Sequence, residues 1–157
     1  WFESGEVEYR FSLGEIDPVQ VEWLEISMEI SSNAPMYREN FKSDIYVGLG
    51  ETELGVWTSP GDYGARRGRF NPSWWSDTSS QYGLLKTWRV DNQGCTLDGE
   101  PLSSVTLADL NLGGQDYLAL RIGVHADAAH VGGINLFGEQ FGDFAQGIVV
   151  RVGYAKP

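Results

Sequence analysis

The sequence predicts an all-β protein, an antiparallel two-sheet β-sandwich of jelly-roll type with at most one short helical turn. Three observations lead there. Apolar residues recur with period two in run after run. Glycine alone supplies 20 of 157 residues, and no long amphipathic helical pattern is present. The length suits a single core, so residues 1–157 form one domain.

The first run is Val7, Tyr9, Phe11 and Leu13, with Glu8, Arg10 and Ser12 between them. Asp17 and Pro18 make a turn, after which Val19, Val21 and Trp23 fall on odd positions but Leu24, Ile26, Met28 and Ile30 on even ones. That phase change predicts a β-bulge near Trp23 and Leu24. Glu22, Glu25 and Glu29 read most simply as a solvated strand face. Ile45, Val47 and Leu49, a turn at Gly50 to Thr52, and then Leu54, Val56 and Thr58 form a hairpin signature.

Alternation resumes from Leu84 to Val90. Asp98-Gly99, between Cys95-Thr96-Leu97 and Pro101-Leu102, predicts a type I′ turn, whose two central residues need positive φ. Thr106 and Asp109 have capping-box spacing, so one helical turn is expected at Leu107 to Leu110. Leu118, Leu120, Ile122 and Val124 mark another strand, and Ile148, Val150, Val152 and Tyr154 the closing one. These runs make eight or nine strands, with glycine-rich residues 132–147 as the last connection. There is no internal repeat.

Eleven Lys and Arg face 22 Asp and Glu, a net charge of −11, and a surface that repels phosphate backbones argues against direct nucleic-acid binding by this chain. Cys95 is the only cysteine, which rules out an internal disulfide and fits a reducing cytoplasm. No apolar run is long enough to cross a bilayer as a helix. A start at Trp1-Phe2 is expected of a domain cut from a longer protein.

The stretch Gly55 to Val90, GVWTSPGDYGARRGRFNPSWWSDTSSQYGLLKTWRV, contains four of the six tryptophans and three closely spaced arginines. Most of it is a long connection, and connections so rich in aromatics are functional more often than disordered. Trp57 and Trp88 lie in strands and are expected to anchor its ends in the core. The candidate ligand-binding residues are Asp62, Arg66, Arg67, Arg69, Trp74, Trp75 and Tyr82, joined by His130 and Asn135 from the glycine-rich connection. Tryptophan faces stack on sugar rings or planar ligands, while Arg and Asp supply directional hydrogen bonds. The arginines could equally be salt-bridge partners in an acidic protein. The two connections are expected to share one pocket.

His125, Asp127 and His130, with Asn135, Glu139 and Asp143, contain metal-ligating types, but their spacing matches no metal motif. Turn-making and hydrogen bonding are the favoured roles, and neither metal nor cofactor is assigned. No nucleophile elbow, P-loop or dinucleotide fingerprint is present, and no carboxylate pair stands in a setting that separates two pKa values. The expectation is a non-enzyme.

Over GVWTSPGDYGARRGRFNPSWWSDTSSQYGLLKTWRV and HVGGINLFGEQFGDFAQGIVVRV, the chain resembles the C-terminal β-rich domain of bacterial ArsR-like winged-helix transcriptional regulators. The resemblance covers about the last two-thirds of the sequence. It implies a cytoplasmic effector-sensing domain in transcription regulation, touching DNA only through a separate N-terminal domain. It supplies no ligand. The departure is FAQGIVVRV, where YPQDIVLRL would be closer to the family, so an acidic role at Gly147 is in doubt. The leading expectation is a domain that binds a small polar effector, such as a sugar, without membrane association. A carbohydrate-binding or lectin-like module of an extracellular enzyme is the alternative. A homodimerisation domain using the aromatic loop is the third.

Overall fold

Alternation gives each strand one apolar face, and two such sheets bury those faces against each other. The structure, a computed structural model, describes residues 1–14 and 16–155. Among these, ten strands run β1 (Gly5–Ser12), β2 (Val21–Ser31), β3 (Ser43–Leu49), β4 (Thr52–Ser59), β5 (Leu84–Asp91), β6 (Cys95–Leu97), β7 (Glu100–Ser103), β8 (Tyr117–Val124), β9 (Asn135–Phe137) and β10 (Val149–Tyr154). One sheet has the order β1-β8-β3-β4 and the other β10-β2-β5-β6-β7, with β9 also paired to β2. All pairings are antiparallel. The chain crosses between sheets after β1, β2, β4, β7 and β8, which gives the expected jelly-roll-like wrapping.

The core lies between the sheets. Leu24, Ile26, Met28 and Ile30 of β2, with Trp88 and Val90 of β5, face Ile45, Val47 and Leu49 of β3 and Leu118, Leu120 and Ile122 of β8. All are buried. Each such side chain contributes about 1.5–3 kcal/mol through removal of apolar surface from water. Trp88 is fully buried and Trp57 packs against the same cluster, so both hold the ends of the long connection as expected.

The bulge predicted in β2 appears as a register shift where Gly153 and Tyr154 pair with Trp23 and Val21. The helical turn is a 3₁₀ turn at Leu107–Leu110, with the Thr106 N–H donating to the Asp109 carboxylate at 2.8 Å. A second 3₁₀ turn, Pro18–Gln20, follows Asp17. No helix among the described residues is long and apolar enough to cross a membrane.

Two expectations are corrected. The connection at 132–147 contains β9, which pairs Asn135, Leu136 and Phe137 with Ser31, Ile30 and Glu29. The reason is that β10 covers β2 only as far as Ser27, leaving backbone groups beyond it that need partners. The acidic face of β2 is also not uniformly solvated. Glu22 is exposed, Glu25 pairs with Arg151 at 3.1 Å, and Glu29 is fully buried.

The β6–β7 turn has φ of 51° at Asp98 and 87° at Gly99, as the dipeptide predicted. Gly99→Ala places a Cβ in the left-handed region and is expected to lower stability by about 1–2 kcal/mol. Urea denaturation with an unchanged m value would register this as a shift in midpoint alone.

Candidate functional site

Residues 138–146 fold over the outer face of β2, which explains why Ser27 and Glu29 are buried on a face that alternation directs outward. The Glu29 carboxylate accepts the Gly83 N–H at 2.8 Å, the Asp143 N–H at 2.9 Å and the Phe144 N–H at 3.0 Å. Burial raises its pKa, the three N–H groups oppose that shift, and the nearby Asp143 charge adds to it. A Cβ at Gly142, where φ is 78°, would collide with this carboxylate, so glycine is required there. Glu29 thus ties the end of the first long connection and the middle of the last one to the same strand.

Further bonds stitch the two connections together. Asn71 donates to the Gln81 carbonyl at 2.9 Å and accepts the Gly142 N–H at 2.7 Å. Phe70 N–H reaches the Gly142 carbonyl at 2.9 Å. Gln81, nearly fully buried, donates to the Ser76 and Ser79 carbonyls. Arg66 forms a forked ion pair with Asp143, Nη1 to Oδ1 at 3.0 Å, and lies 3.8 Å over the Tyr82 ring. This pairing, with the Arg69 N–H, holds the Asp143 pKa below the usual carboxylate range.

Above these bonds the aromatic residues gather. Trp75 meets Phe141 edge to face at 5.0 Å between ring centres and Trp74 at 5.9 Å, and its indole N–H donates to the Ser80 carbonyl. Trp74 is 73% exposed. Beside this cluster a cavity of about 640 Å³ opens, a size that suits a small-molecule site. Trp75 and residues 78–80 form one wall, Asn135 to Gly138 and Phe141 another, and Asn33 to Met36 with Trp1 and Glu3 the rest. Both long connections therefore border one cavity. At its edge, Met36 and Tyr37 adopt φ of 56° and 40°, two successive non-glycine residues in a conformation that L side chains disfavour.

Directly behind the wall lies Asp62, fully buried. Its Oδ2 accepts the Ala34 N–H and the Ser80 hydroxyl, each at 2.8 Å, while Oδ1 has no partner. Burial raises the Asp62 pKa against the Ala34 N–H, the Ser80 hydroxyl and the nearby Asn135 amide, which favour the charged form. Asn135 Nδ2 donates to the Ser32 carbonyl at 2.7 Å and to Ser80 Oγ at 2.9 Å.

The candidates from the sequence separate accordingly. Trp75 and Asn135 line the cavity, Asp62 supports its wall, and Trp74 flanks Trp75. Arg66 and Tyr82 form a stacked pair outside that lining. Arg67 is spent on Asp77 and on the Trp75 and Pro72 carbonyls, shaping the loop from within. Arg69 bonds Asp143 through its backbone N–H. His130 pairs with Asp44 at 3.2 Å, and His125 pairs with Glu53 at 2.9 Å while stacking on Tyr46. The two imidazoles thus serve different carboxylates, and no metal-binding group of three His, Cys, Asp or Glu occurs among the described residues.

Sequence reasoning missed Glu29, Asn71, Gln81, Ser80, Phe137 and Phe141. Only the aromatic pair carried a local signal, in the FGEQF segment at 137–141. No family model, no curated protein and no solved structure matches the chain.

Asp62 yields a sign-specific prediction. Because its folded pKa lies above its unfolded value, the stability it contributes is full below the ordinary aspartate pKa of 3.8 and is lost as pH rises through the folded value. Asp62→Asn lacks that loss. The stability of the variant relative to the native protein is therefore expected to increase as pH rises from about 4 towards neutrality. Parallel profiles in urea denaturation across that range would count against a buried, titrating Asp62.

Proposed function

We propose that this domain senses a small polar molecule bound in the cavity between the two long connections, as the regulatory part of a transcriptional regulator. The observation that carries the reading is the cavity itself. It has the volume of a ligand site, aromatic walls from Trp75, Phe137 and Phe141, and a few polar groups to fix orientation. The left-handed Met36 and Tyr37 at its edge support the same location, since backbone strain clusters where ligands are held.

The regulatory half of the proposal is supported by the resemblance to ArsR-like regulators and by the bonding of the N-terminal residues. Phe2 exchanges backbone hydrogen bonds with Ile134 at 3.1 and 2.8 Å, one residue before Asn135 of the wall. Trp1 and Glu3 border the cavity. Occupancy would then bias the position of whatever precedes Trp1, provided that the ligand binds one arrangement better than the other. In this reading Arg66 and Arg67 are framework.

A carbohydrate-binding module is the second reading. It is favoured by the exposed Trp74, whose face could stack on a sugar ring outside the cavity.

Calorimetry and thermal shift with a panel of sugars, nucleosides and amines separate the two. Cavity binding predicts that Trp75→Ala weakens a hit by about 10-fold or more while the circular dichroism spectrum is kept. Trp74→Ala is then expected to have little effect. Loss of binding in Trp74→Ala alone would transfer the case to the external platform, and an absence of saturable hits would defeat both.

A further inference from the structure

We infer that the cavity takes an organic cation, a small molecule carrying an ammonium group, with its aromatic wall and Glu3 as the features that select the charge. This rests on the reading of the cavity as the ligand site.

The first argument is the charge of the wall. Among the described residues no Lys or Arg borders the cavity, Glu3 carries its one charged side chain, and the chain has a net charge of −11. Of the loop arginines, Arg66 is engaged with Asp143 and Arg67 with Asp77, and Arg69 lies outside the lining. A phosphate or carboxylate entering here would meet a carboxylate and no countercharge.

The second argument comes from the aromatic rings. Five cations among the described residues lie over rings: Arg10 over Tyr117, Arg38 over Phe41, Arg66 over Tyr82, Lys86 over Trp57 and Arg89 over Trp23. None lies over Trp75, Phe137 or Phe141. Among the described residues, the rings that border the cavity therefore have no cation of the protein's own over them, and a desolvated aromatic ring attracts an ammonium group well.

The third argument is hydrogen-bond capacity. The Asn135 amide N–H groups and the Ser80 hydroxyl donate to partners inside the protein. The Glu3 carboxylate and Asn135 Oδ1 accept no side-chain or backbone hydrogen bond among the described residues. What remains at Glu3 and Asn135 is unpaired acceptor oxygen, whose negative charge or partial charge favours a cation over an anion.

Calorimetric titration of the whole chain with choline, with its uncharged isostere 3,3-dimethylbutan-1-ol, with glucose and with glucose 6-phosphate tests the inference. Choline is expected to bind about 10-fold or more tightly than the isostere. Glu3→Gln is expected to weaken choline about 3-fold without changing the isostere. Trp75→Leu is expected to weaken choline about 10-fold or more, with Phe141→Leu as the second probe if the first variant unfolds. Binding of the isostere or of either sugar as tightly as choline, still sensitive to Trp75→Leu, would overturn the cation and leave the cavity as the ligand site. No binding by any of the four would overturn both.

Discussion

A carboxylate at full burial must either lose its charge or be given hydrogen bonds, and Glu29 is given three, all from backbone N–H groups. Those donors come from residues far apart in the chain. Gly83 closes the first long connection, and Asp143 and Phe144 lie in the last. A neutral apolar residue at position 29 would leave the buried Gly83 and Asp143 N–H groups without an acceptor, each at a cost of about 1–3 kcal/mol, and would release that of Phe144. The position of both connections on the sheet therefore depends on one side chain.

The cavity follows from that arrangement. Once Gly142 is seated on Glu29, Asn71 can bond it from the other connection, and Arg66 can reach Asp143 while lying on Tyr82. Arg66 and Arg67 become struts, and the space left beside Trp75, Phe137 and Phe141 is apolar and aromatic with acidic groups near it. Asp62 repeats the Glu29 device at a second point, with only two hydrogen bonds and one oxygen unmatched. Its neighbours Ala34, Ser80 and Asn135 belong to three different segments, so the wall is built by convergence on a carboxylate there too.

Local rules made most of the fold legible. Period two marked seven of the strands, Asp98-Gly99 marked its turn and the two short strands beside it, and Thr106 with Asp109 marked the helical turn, because each signal is contained within a few residues. The burial of Glu29, against its solvated reading in the sequence, has a different origin. Its strand phase points outward, and only a segment more than 100 residues later covers that face. For the same reason β9 was hidden, since three residues in a glycine-rich stretch become a strand only because β2 has an open edge. The convergence of the two connections on one cavity was readable from their shared aromatic and polar content. Which side chains line it was not, because an arginine in a loop can face a ligand or a carboxylate with the same local sequence. Trp75 and Asn135 are in the wall, whereas Arg66, Arg67, Tyr82 and His130 have other partners.

The claim on which the rest depends is that the two connections form one rigid wall pinned to β2 through Glu29. Native-state hydrogen exchange of the backbone amides tests it most directly. The Gly83, Asp143 and Phe144 amides are expected to exchange together and as slowly as the amides of β2. Exchange of the Asp143 and Phe144 amides at loop-like rates, well ahead of β2, would contradict it.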